Sequence, residues 1–139
     1  YSEICIYDDY AHHPNQIKTT LKSIKDAVGS SKTVTAIFQP HRYTRLQGLW
    51  NDFLNSFDFA DKLFILDVYP AGEEPIQNIS SQNFSKSINH KCVKYIKGNI
   101  EDASKAIFPL LNKGDIVITL GAGNITNLGY KLVELSEQE

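Results

Sequence analysis

The chain has 139 residues, of which 42% are hydrophobic and 22% are charged, which is typical of one globular domain with a core of its own. The formal net charge of −2 argues against a general nucleic-acid binder or a membrane-surface binder. No apolar run approaches the ~20 residues that a membrane-spanning helix requires.

The chain opens on a predicted strand and contains no methionine. It also lacks a basic or apolar leader of the kind that signal peptides carry. We therefore expect residues 1–139 to be a single domain cut from a longer protein. Cys5 and Cys92 both lie in apolar runs, and we expect them to be buried, reduced thiols in a reducing compartment.

Short apolar runs alternate along the chain with segments of helical periodicity. The runs predict strands at residues 4–8, 33–38, 63–68, 92–96 and 116–120. Five β-α units of this length predict the α/β class, with a Rossmann-like three-layer domain. We expect a mostly parallel sheet of about five to six strands, with helices on both of its faces.

The helical segments have recognisable starts and apolar stripes. The first is predicted from Pro14 to a stop at Gly29, because a proline is tolerated in the first turn and a glycine ends helices. Residues 46–57 predict one deeply packed helix. Ser80 or Ser81 is expected to cap a short helix and Asn99 the next one, and the last helix is predicted from about residue 125.

Polar, glycine-rich or histidine-rich loops follow four of the five predicted strands. These loops are residues 8–14, 39–45, 69–75 and 121–124. The carboxyl ends of parallel strands share one edge of a sheet, and ligands bind at that edge in open α/β folds. We therefore expect all four loops to lie along one edge.

The turn after the first strand carries two carboxylates, a phenol and two imidazoles. Asp8 or Asp9 is a candidate to contact a ribose hydroxyl or a metal, and the alternative is that one of them caps the following helix. Tyr10 either packs or lines a pocket. We expect His12 or His13 to hydrogen-bond or to handle a proton at a ligand while the other braces the turn.

The loop after the second strand carries His41, Arg42 and Arg45. Arg42 and Arg45 are three residues apart at a predicted helix start, so we expect one face to present both. Paired guanidinium groups suit a carboxylate or phosphate, and cations at a helix N-terminus imply a bound anion because they oppose the macrodipole. The alternative is a solvated helix end. A zinc site of His12, His41 and a carboxylate has no supporting spacing, and no metal site is predicted.

The loop after the fifth strand contains Gly121, Gly123 and Asn124. It is not a dinucleotide fingerprint, because Thr126 stands where the third glycine would be. We expect its backbone to approach a ligand, with free N–H groups at a helix start. The chain has no G-x-x-x-x-G-K-S/T motif to hold a nucleoside triphosphate, and no Ser-His-Asp or Cys-His arrangement suggests a hydrolase.

Taken together, four stretches resemble motifs of the Mur ligases, in the right order and across the whole chain: residues 8–14, 38–45, 69–76 and 121–125. The first stretch alone is shared loosely with folylpolyglutamate ligases. The combination resembles the C-terminal domain of Mur ligases, most of all the members that add L-alanine. Pro70 is a departure, because relatives often have a small residue there.

This resemblance implies a bacterial, cytoplasmic, three-domain enzyme of peptidoglycan synthesis, of which the chain is the third domain. The first domain would bind UDP and the central one would hold ATP and Mg on a P-loop. The whole enzyme would join L-alanine to UDP-N-acetylmuramate through an acyl phosphate, releasing ADP and phosphate. The isolated fragment is expected to be inactive.

The resemblance also implies roles for individual residues. Asp9 would meet the nucleotide ribose. The residues expected to bind substrate, around the alanine and the reacting carboxylate, are Tyr10, His12, His41, Arg42 and Arg45. The residues expected to support these loops are Asp8, His13, Gly121, Gly123 and Asn124.

Two alternatives stay open at the level of sequence. The first is a ligase of the same family that recycles murein tripeptide. The second is a non-catalytic binding module of flavodoxin-like build. Neither alternative predicts nucleic-acid or membrane binding.

Overall fold

The computed structural model describes residues 4–138, which form one sheet of five parallel strands. The strands are β1 (Cys5–Asp9), β2 (Val34–Phe38), β3 (Lys62–Leu66), β4 (Val93–Ile96) and β5 (Ile116–Leu120). Their order across the sheet is β1-β5-β2-β3-β4. The predicted α/β class and parallel sheet are confirmed, with strand bounds within two residues of those expected.

Six helices connect or follow these strands in the described residues. They are α1 (Pro14–Val28), α2 (Tyr43–Gly48), α3 (Trp50–Leu54), α4 (Ser81–Ser87), α5 (Ile100–Ile107) and α6 (Thr126–Glu137), with a 3-10 turn at Phe108–Leu110. Among residues 4–138, none of these helices has the length and hydrophobicity to span a membrane.

The sheet separates two hydrophobic cores. The core on one face includes Ile17 and Leu21 of α1, Leu46 of α2 and Phe84 of α4, and the core on the other face includes Leu128 of α6. The chain crosses from β1 to β4 in one direction and returns from β4 to β5 in the other. Right-handed connections therefore place α1 to α4 on one face and α5 on the opposite face, which confirms the three predicted layers.

The helix starts follow the capping residues that the sequence supplies. The Ser80 hydroxyl accepts the Asn83 N–H at 3.1 Å, and the Asn99 side chain accepts the Asp102 N–H at 2.8 Å. Each side chain satisfies an N–H group that has no partner inside its helix. Gly29 follows α1 with φ 59, a left-handed conformation that glycine adopts without steric cost.

The predicted helix over residues 46–57 is instead two short helices. α2 ends at Gly48 and α3 begins at Trp50, with Leu49 between them at φ −117 and ψ 22. Both pieces still bury their apolar stripe, through Leu46 and Phe53. The predicted stripe is confirmed. The interruption leaves no signal in the sequence, because a single residue breaks the helix without changing the spacing of the stripe.

The cysteines correct a second expectation. Cys5 and Cys92 are free thiols and both are exposed. Cys5 lies on β1 and Cys92 immediately precedes β4, the two edge strands of the sheet. An apolar run on an edge strand is covered on fewer sides than the same run in the centre, so these side chains remain in contact with solvent.

Strand β5 lies between β1 and β2, and this placement creates the crevice. The connections after β1 and β2 lead to helices on one face, whereas the connection after β5 leads to α6 on the other. The loop after β5 therefore leads to one face of the sheet, and the loops after its two neighbours, β1 and β2, lead to the other. Such a topological switch point is the usual ligand-binding crevice of an open α/β sheet.

Candidate functional site

Three of the predicted loops meet at the carboxyl end of β5. The Gly121 N–H donates to the Asp9 carbonyl at 3.2 Å, and the Gln39 N–H donates to the Leu120 carbonyl at 3.0 Å. These bonds continue the strand ladders past the ends of β1, β5 and β2. The loops after these three strands are therefore fixed side by side at the switch point.

The two adjacent acids of the first loop have different partners. Asp8 accepts the Thr119 hydroxyl at 2.6 Å and the Thr126 hydroxyl at 3.1 Å, so it ties β1 to β5 and to the start of α6. Asp9 accepts the Ala11 N–H at 2.7 Å and the Thr20 hydroxyl at 3.3 Å.

Neither acid caps α1, because His13 occupies the N-cap position. An ionised carboxylate offers about four lone-pair positions. Asp9 therefore has capacity for a further donor, such as a ribose hydroxyl, while its two present bonds keep the turn in shape.

The aromatic residues of the first loop form a row. The Tyr10 and His12 ring centroids are 5.1 Å apart, those of His12 and His13 are also 5.1 Å apart, and His12 lies 6.2 Å from His41. The Tyr10 side chain is 70% exposed. The loop therefore presents a phenol and an imidazole beside the second loop, with room for a ligand on the Tyr10 side.

Gln16 and a backbone carbonyl hold the two histidines of this row. The Gln16 amide oxygen accepts from the N–H groups of His12 and His13, at 3.3 Å each, and Nδ1 of His12 lies 3.0 Å from the Tyr10 carbonyl. Because a carbonyl only accepts, Nδ1 of His12 carries a proton in this arrangement. The other ring nitrogen, Nε2, is then the one that can exchange a proton with a ligand in the neutral state.

His41 and Arg45 form the central pair of the second loop. The Arg45 Nη1 group donates to Nδ1 of His41 at 2.9 Å and to the His41 carbonyl at 3.1 Å. Both bonds use the same nitrogen, so the Nε and Nη2 donors of the guanidinium are not engaged by residues 4–138. A fixed guanidinium with unused donors suits bidentate recognition of a carboxylate.

Arg42 differs from the simple helical expectation. It is the N-cap residue of α2 with φ 76, so it lies outside the helix and helical spacing does not set its direction. Within the part of the chain that the structure describes, no carboxylate forms an ion pair with its guanidinium. Arg42 is thus an exposed cation whose charge, like that of Arg45, acts on His41.

The anion inferred at the start of α2 is supplied by the chain itself. Glu73, in the loop after β3, accepts the Thr44 N–H at 3.1 Å and the Thr44 hydroxyl at 2.5 Å. These hydrogen bonds lower the Glu73 pKa, as does the nearby charge of Arg42. The macrodipole of α2 therefore gives no reason to expect an external anion. The remaining reason is the presence of two guanidinium groups, those of Arg42 and Arg45.

Gln39 connects the second loop to the third. Its amide nitrogen donates to the Asn124 side-chain oxygen at 2.7 Å, and its amide oxygen accepts the Ile125 N–H at 3.2 Å. The adjacent glycines permit this close approach: a Cβ at Gly121 would lie 3.0 Å from the Gln39 carbonyl, and one at Gly123 would lie 2.8 Å from its amide oxygen.

The third loop therefore acts through close backbone packing. The Ile125 N–H is satisfied by the Gln39 amide oxygen, and the loop forms one wall of the crevice.

Among residues 4–138, no three histidine, cysteine, aspartate or glutamate side chains are arranged to hold a metal ion. The zinc alternative needed a carboxylate close to both His12 and His41. Asp9 of the first loop and Glu73 of the loop after β3 are bonded to Thr20 and Thr44.

Partial burial lowers the pKa values of His13 and His41, and the positive charge of Arg45 lowers both further. The charge of His12 also lowers both pKa values. At His41, the charge of Arg42 lowers the pKa further, whereas the charge of Glu73 raises it. Both rings therefore stay neutral to lower pH than the ordinary value of 6.5. A neutral His41 is also what the Arg45 contact requires, because protonated Nδ1 could not accept.

We predict that acid destabilises the chain in the range just below pH 6.5. The unfolded histidines bind protons there and the folded ones do not, so stability present above pH 6.5 is lost as pH falls toward the folded pKa values. Urea midpoints measured between pH 8 and pH 5 should show this decline, and His41→Asn should make it shallower. A midpoint that rises on acidification, or an unchanged slope in the variant, would contradict the assignment.

Several site residues were not singled out from the sequence. Contacts that fix the predicted site residues or the loops that carry them are formed by Gln39, Tyr69, Glu73, Thr119 and Thr126. Gln39, Tyr69 and Glu73 stand inside loops that the strand-end rule had already marked, so a signal for the region existed. The two threonines carried no separate signal, because threonine is ordinary both in a strand and at a helix start.

Comparison with known proteins gives the family. Residues 1–123 match the family described as Mur ligase, glutamate ligase domain. Because the match covers most of the chain, the chain belongs to the Mur ligase family and corresponds to the domain that this description names.

Similar curated proteins carry a common name. UDP-N-acetylmuramate–L-alanine ligase of Sulfurihydrogenibium sp. is 40% identical over 99% of this chain, and that of Brachyspira hyodysenteriae is 46% identical over 91%. The enzyme of that name from Rickettsia felis is 42% identical over 95%. The chain spans only 27% to 31% of the length of these relatives.

Solved structures share the fold. A domain of a Haemophilus ducreyi protein, named as a ligase for UDP-N-acetylmuramate and L-alanyl-γ-D-glutamyl-diaminopimelate, aligns with a TM-score of 0.70 and 20% identity, over 96% of this chain and 91% of that one. A murein peptide ligase from Psychrobacter arcticus aligns with a TM-score of 0.65 and 23% identity, over 95% of this chain and 27% of that one. At these identities the likeness concerns the fold alone.

Proposed function

We propose that this chain is the amino-acid-binding domain of an ATP-dependent ligase that joins L-alanine to UDP-N-acetylmuramate in bacterial peptidoglycan synthesis. What supports the proposal most directly is the fixed Arg45 guanidinium at the switch point, in the same loop as the exposed Arg42. This pair suits the carboxylate of an amino acid, and the relatives at 40% to 46% identity bear the name of an alanine ligase.

The reaction proposed for the whole enzyme begins with transfer of the ATP γ-phosphoryl group to the muramate carboxylate. The amine of L-alanine then attacks the resulting acyl phosphate, a C–N bond forms, the C–O bond to phosphate breaks, and the amine gives up a proton. Residues 4–138 offer no activated nucleophile at the crevice. We infer that the domain contributes positioning and electrostatic stabilisation.

The proposed roles follow the geometry. The guanidinium groups of Arg42 and Arg45 hold the alanine carboxylate, with the imidazoles of His12 and His41 beside them. Asp9 uses its remaining lone pairs for the ribose of ATP, and Tyr10 covers the exposed side of the crevice.

ATP and Mg are proposed to be held by a part of the enzyme outside this chain. The chain has no phosphate-binding loop of the P-loop type. Because the proposed reaction consumes ATP, we propose that the enzyme works in the cytoplasm.

The proposal is tested by the amino-acid specificity of the full-length protein. With ATP and UDP-N-acetylmuramate, phosphate release is expected to depend on L-alanine, and a murein tripeptide is expected not to replace it. Dependence on the tripeptide instead would identify a recycling ligase. No release with either acceptor would favour a binding module without catalysis.

A second measurement tests the division of labour between the domains. In a calorimetric titration of the 139-residue chain, ATP is expected to bind more weakly than micromolar, because the groups that hold phosphate are absent from it. Micromolar affinity would contradict the proposal that ATP is held mainly outside this chain.

A further inference from the structure

Tyr69 lies in the loop after β3, and its backbone is tied to the loop after β2. Its N–H donates to the Pro40 carbonyl at 2.8 Å, and its carbonyl accepts the Arg42 N–H at 2.8 Å. These two bonds bracket His41, with which Tyr69 forms an isolated parallel bridge. The backbone therefore holds Tyr69 directly beside His41.

The side chain of Tyr69 continues this contact. Its ring stacks on the His41 ring, with centroids 5.5 Å apart and planes inclined by 12°. The same His41 ring accepts a hydrogen bond from Arg45 at Nδ1. Tyr69, His41 and Arg45 thus form a series of contacts in which the middle ring touches both neighbours.

The ring of Tyr69 has space only because residue 123 is glycine. A Cβ at Gly123 would lie 2.6 Å from Cγ of Tyr69 and 2.8 Å from the Gln39 amide oxygen. Real Cβ atoms essentially never approach heavy atoms within 3.0 Å. Gln39 is bonded to Asn124 and Ile125, so an added methyl group is expected to displace the Tyr69 ring.

We propose that Tyr69 is a positioning residue for amino-acid binding: it holds the His41 ring so that His41 keeps the Arg45 guanidinium oriented, and Gly123 provides the space. The role of Arg45 in this inference rests on the proposed function, whereas the contact between Tyr69 and His41 does not. Tyr69 acts through its ring face. Its hydroxyl forms no hydrogen bond with residues 4–138, so phenylalanine should serve as well.

The kinetic test uses the full-length protein with L-alanine, UDP-N-acetylmuramate and ATP. Tyr69→Leu and Gly123→Ala are each expected to raise the KM for L-alanine about tenfold or more, because small displacements of binding groups are costly. The KM for ATP is expected to stay within about twofold of its original value. The double variant should be no worse than the more impaired single variant, since both changes disturb the same ring.

Two matched variants serve as controls. Tyr69→Phe keeps the stacked ring and is expected to leave the KM for L-alanine unchanged. Gly48→Ala adds a methyl group where nothing lies within 4 Å and should also be silent. The inference is overturned if Tyr69→Leu or Gly123→Ala leaves the alanine KM unaltered, if the KM for ATP rises in parallel, or if the two effects add fully.

A readout without catalysis separates this inference from the proposed function. Because a guanidinium only donates, Nδ1 of His41 accepts and Nε2 carries the proton of the neutral ring. Nitrogen-15 NMR of the histidine rings in the 139-residue chain should show that single tautomer. The Phe variant is expected to retain it, whereas Tyr69→Leu and Gly123→Ala are expected to lose it.

Each combination of results has one meaning. Unchanged ring spectra in both variants would overturn the inference whatever the kinetics show. A full-length protein that is inactive with L-alanine would refute the proposed function, and the ring spectra alone would then decide whether Tyr69 holds His41. If Tyr69→Leu does not fold, Gly123→Ala, which keeps the tyrosine, carries both tests.

Discussion

Arg45→Ala in the full-length protein is expected to raise the KM for L-alanine by about 100-fold, the effect of losing roughly 2–3 kcal/mol from a charged hydrogen-bonded contact. The substitution removes the guanidinium that His41 fixes through Nδ1 and its carbonyl. The KM for ATP should change little, because that nucleotide is proposed to be held outside this chain. Initial rates measured at varied L-alanine and at varied ATP would separate the two effects.

Two comparisons sharpen this prediction. Arg45→Lys keeps the charge but loses the planar fork, so it should recover only part of the alanine affinity. Lys105→Ala removes an exposed cation on α5, away from the crevice, and should leave the kinetics as they were. Unchanged alanine kinetics in Arg45→Ala would remove Arg45 from the proposed site, while a parallel rise for both substrates would indicate general damage to the domain.

The layers of the fold could be predicted because hydrophobic patterning is local. Strands β2 and β5 are continuous apolar runs and are buried at every position, as expected for strands covered on both faces. The stripe of α1 was equally clear, and Ile17 and Leu21 are buried as its spacing requires.

The order of the strands could not be deduced from the same patterns. β1 reads as an apolar run, yet it is an edge strand with exposed side chains, including Cys5 and the 54%-exposed Tyr7. Neighbours that lie more than a hundred residues away, such as Thr119 beside Asp8, decide which strands are central. Local composition does not contain that information.

The region of the candidate site was predictable for a topological reason, whereas its internal bonding was not. Polar loops at strand ends must share an edge in a parallel sheet, so the sequence predicts that His12 and Arg45 lie at the same edge. Which partner each polar group takes depends on distances of a few tenths of an ångström. The sequence inferred an external anion at α2, and the fold supplied Glu73 from another loop.

Phe38→Ala is expected to lower the free energy of unfolding of the chain by about 3–5 kcal/mol, the usual cost of truncating a buried phenylalanine. Phe38 ends the central strand β2 and is fully buried. Its ring centroid lies 5.5 Å from that of Phe53, 5.0 Å from Phe57 and 6.4 Å from Phe84. One truncation therefore leaves a cavity bordered by α3, α4 and the segment between α3 and β3.

Because small domains are stable by only about 5–15 kcal/mol, such a loss should move the urea midpoint strongly or leave the chain unfolded at 37 °C. The only tryptophan, Trp50, meets the Phe84 ring edge-on at 5.3 Å, so its fluorescence reports on the same aromatic cluster. Tyr130→Ala removes a 69%-exposed ring from α6 and should change stability by less than about 0.5 kcal/mol. A loss in Phe38→Ala as small as that control would mean that the aromatic cluster does not hold β2 against the helices of its face. The loop after β2, which continues directly from the end of that strand, would then owe its position to the Gln39 contacts with Asn124 and Ile125 instead.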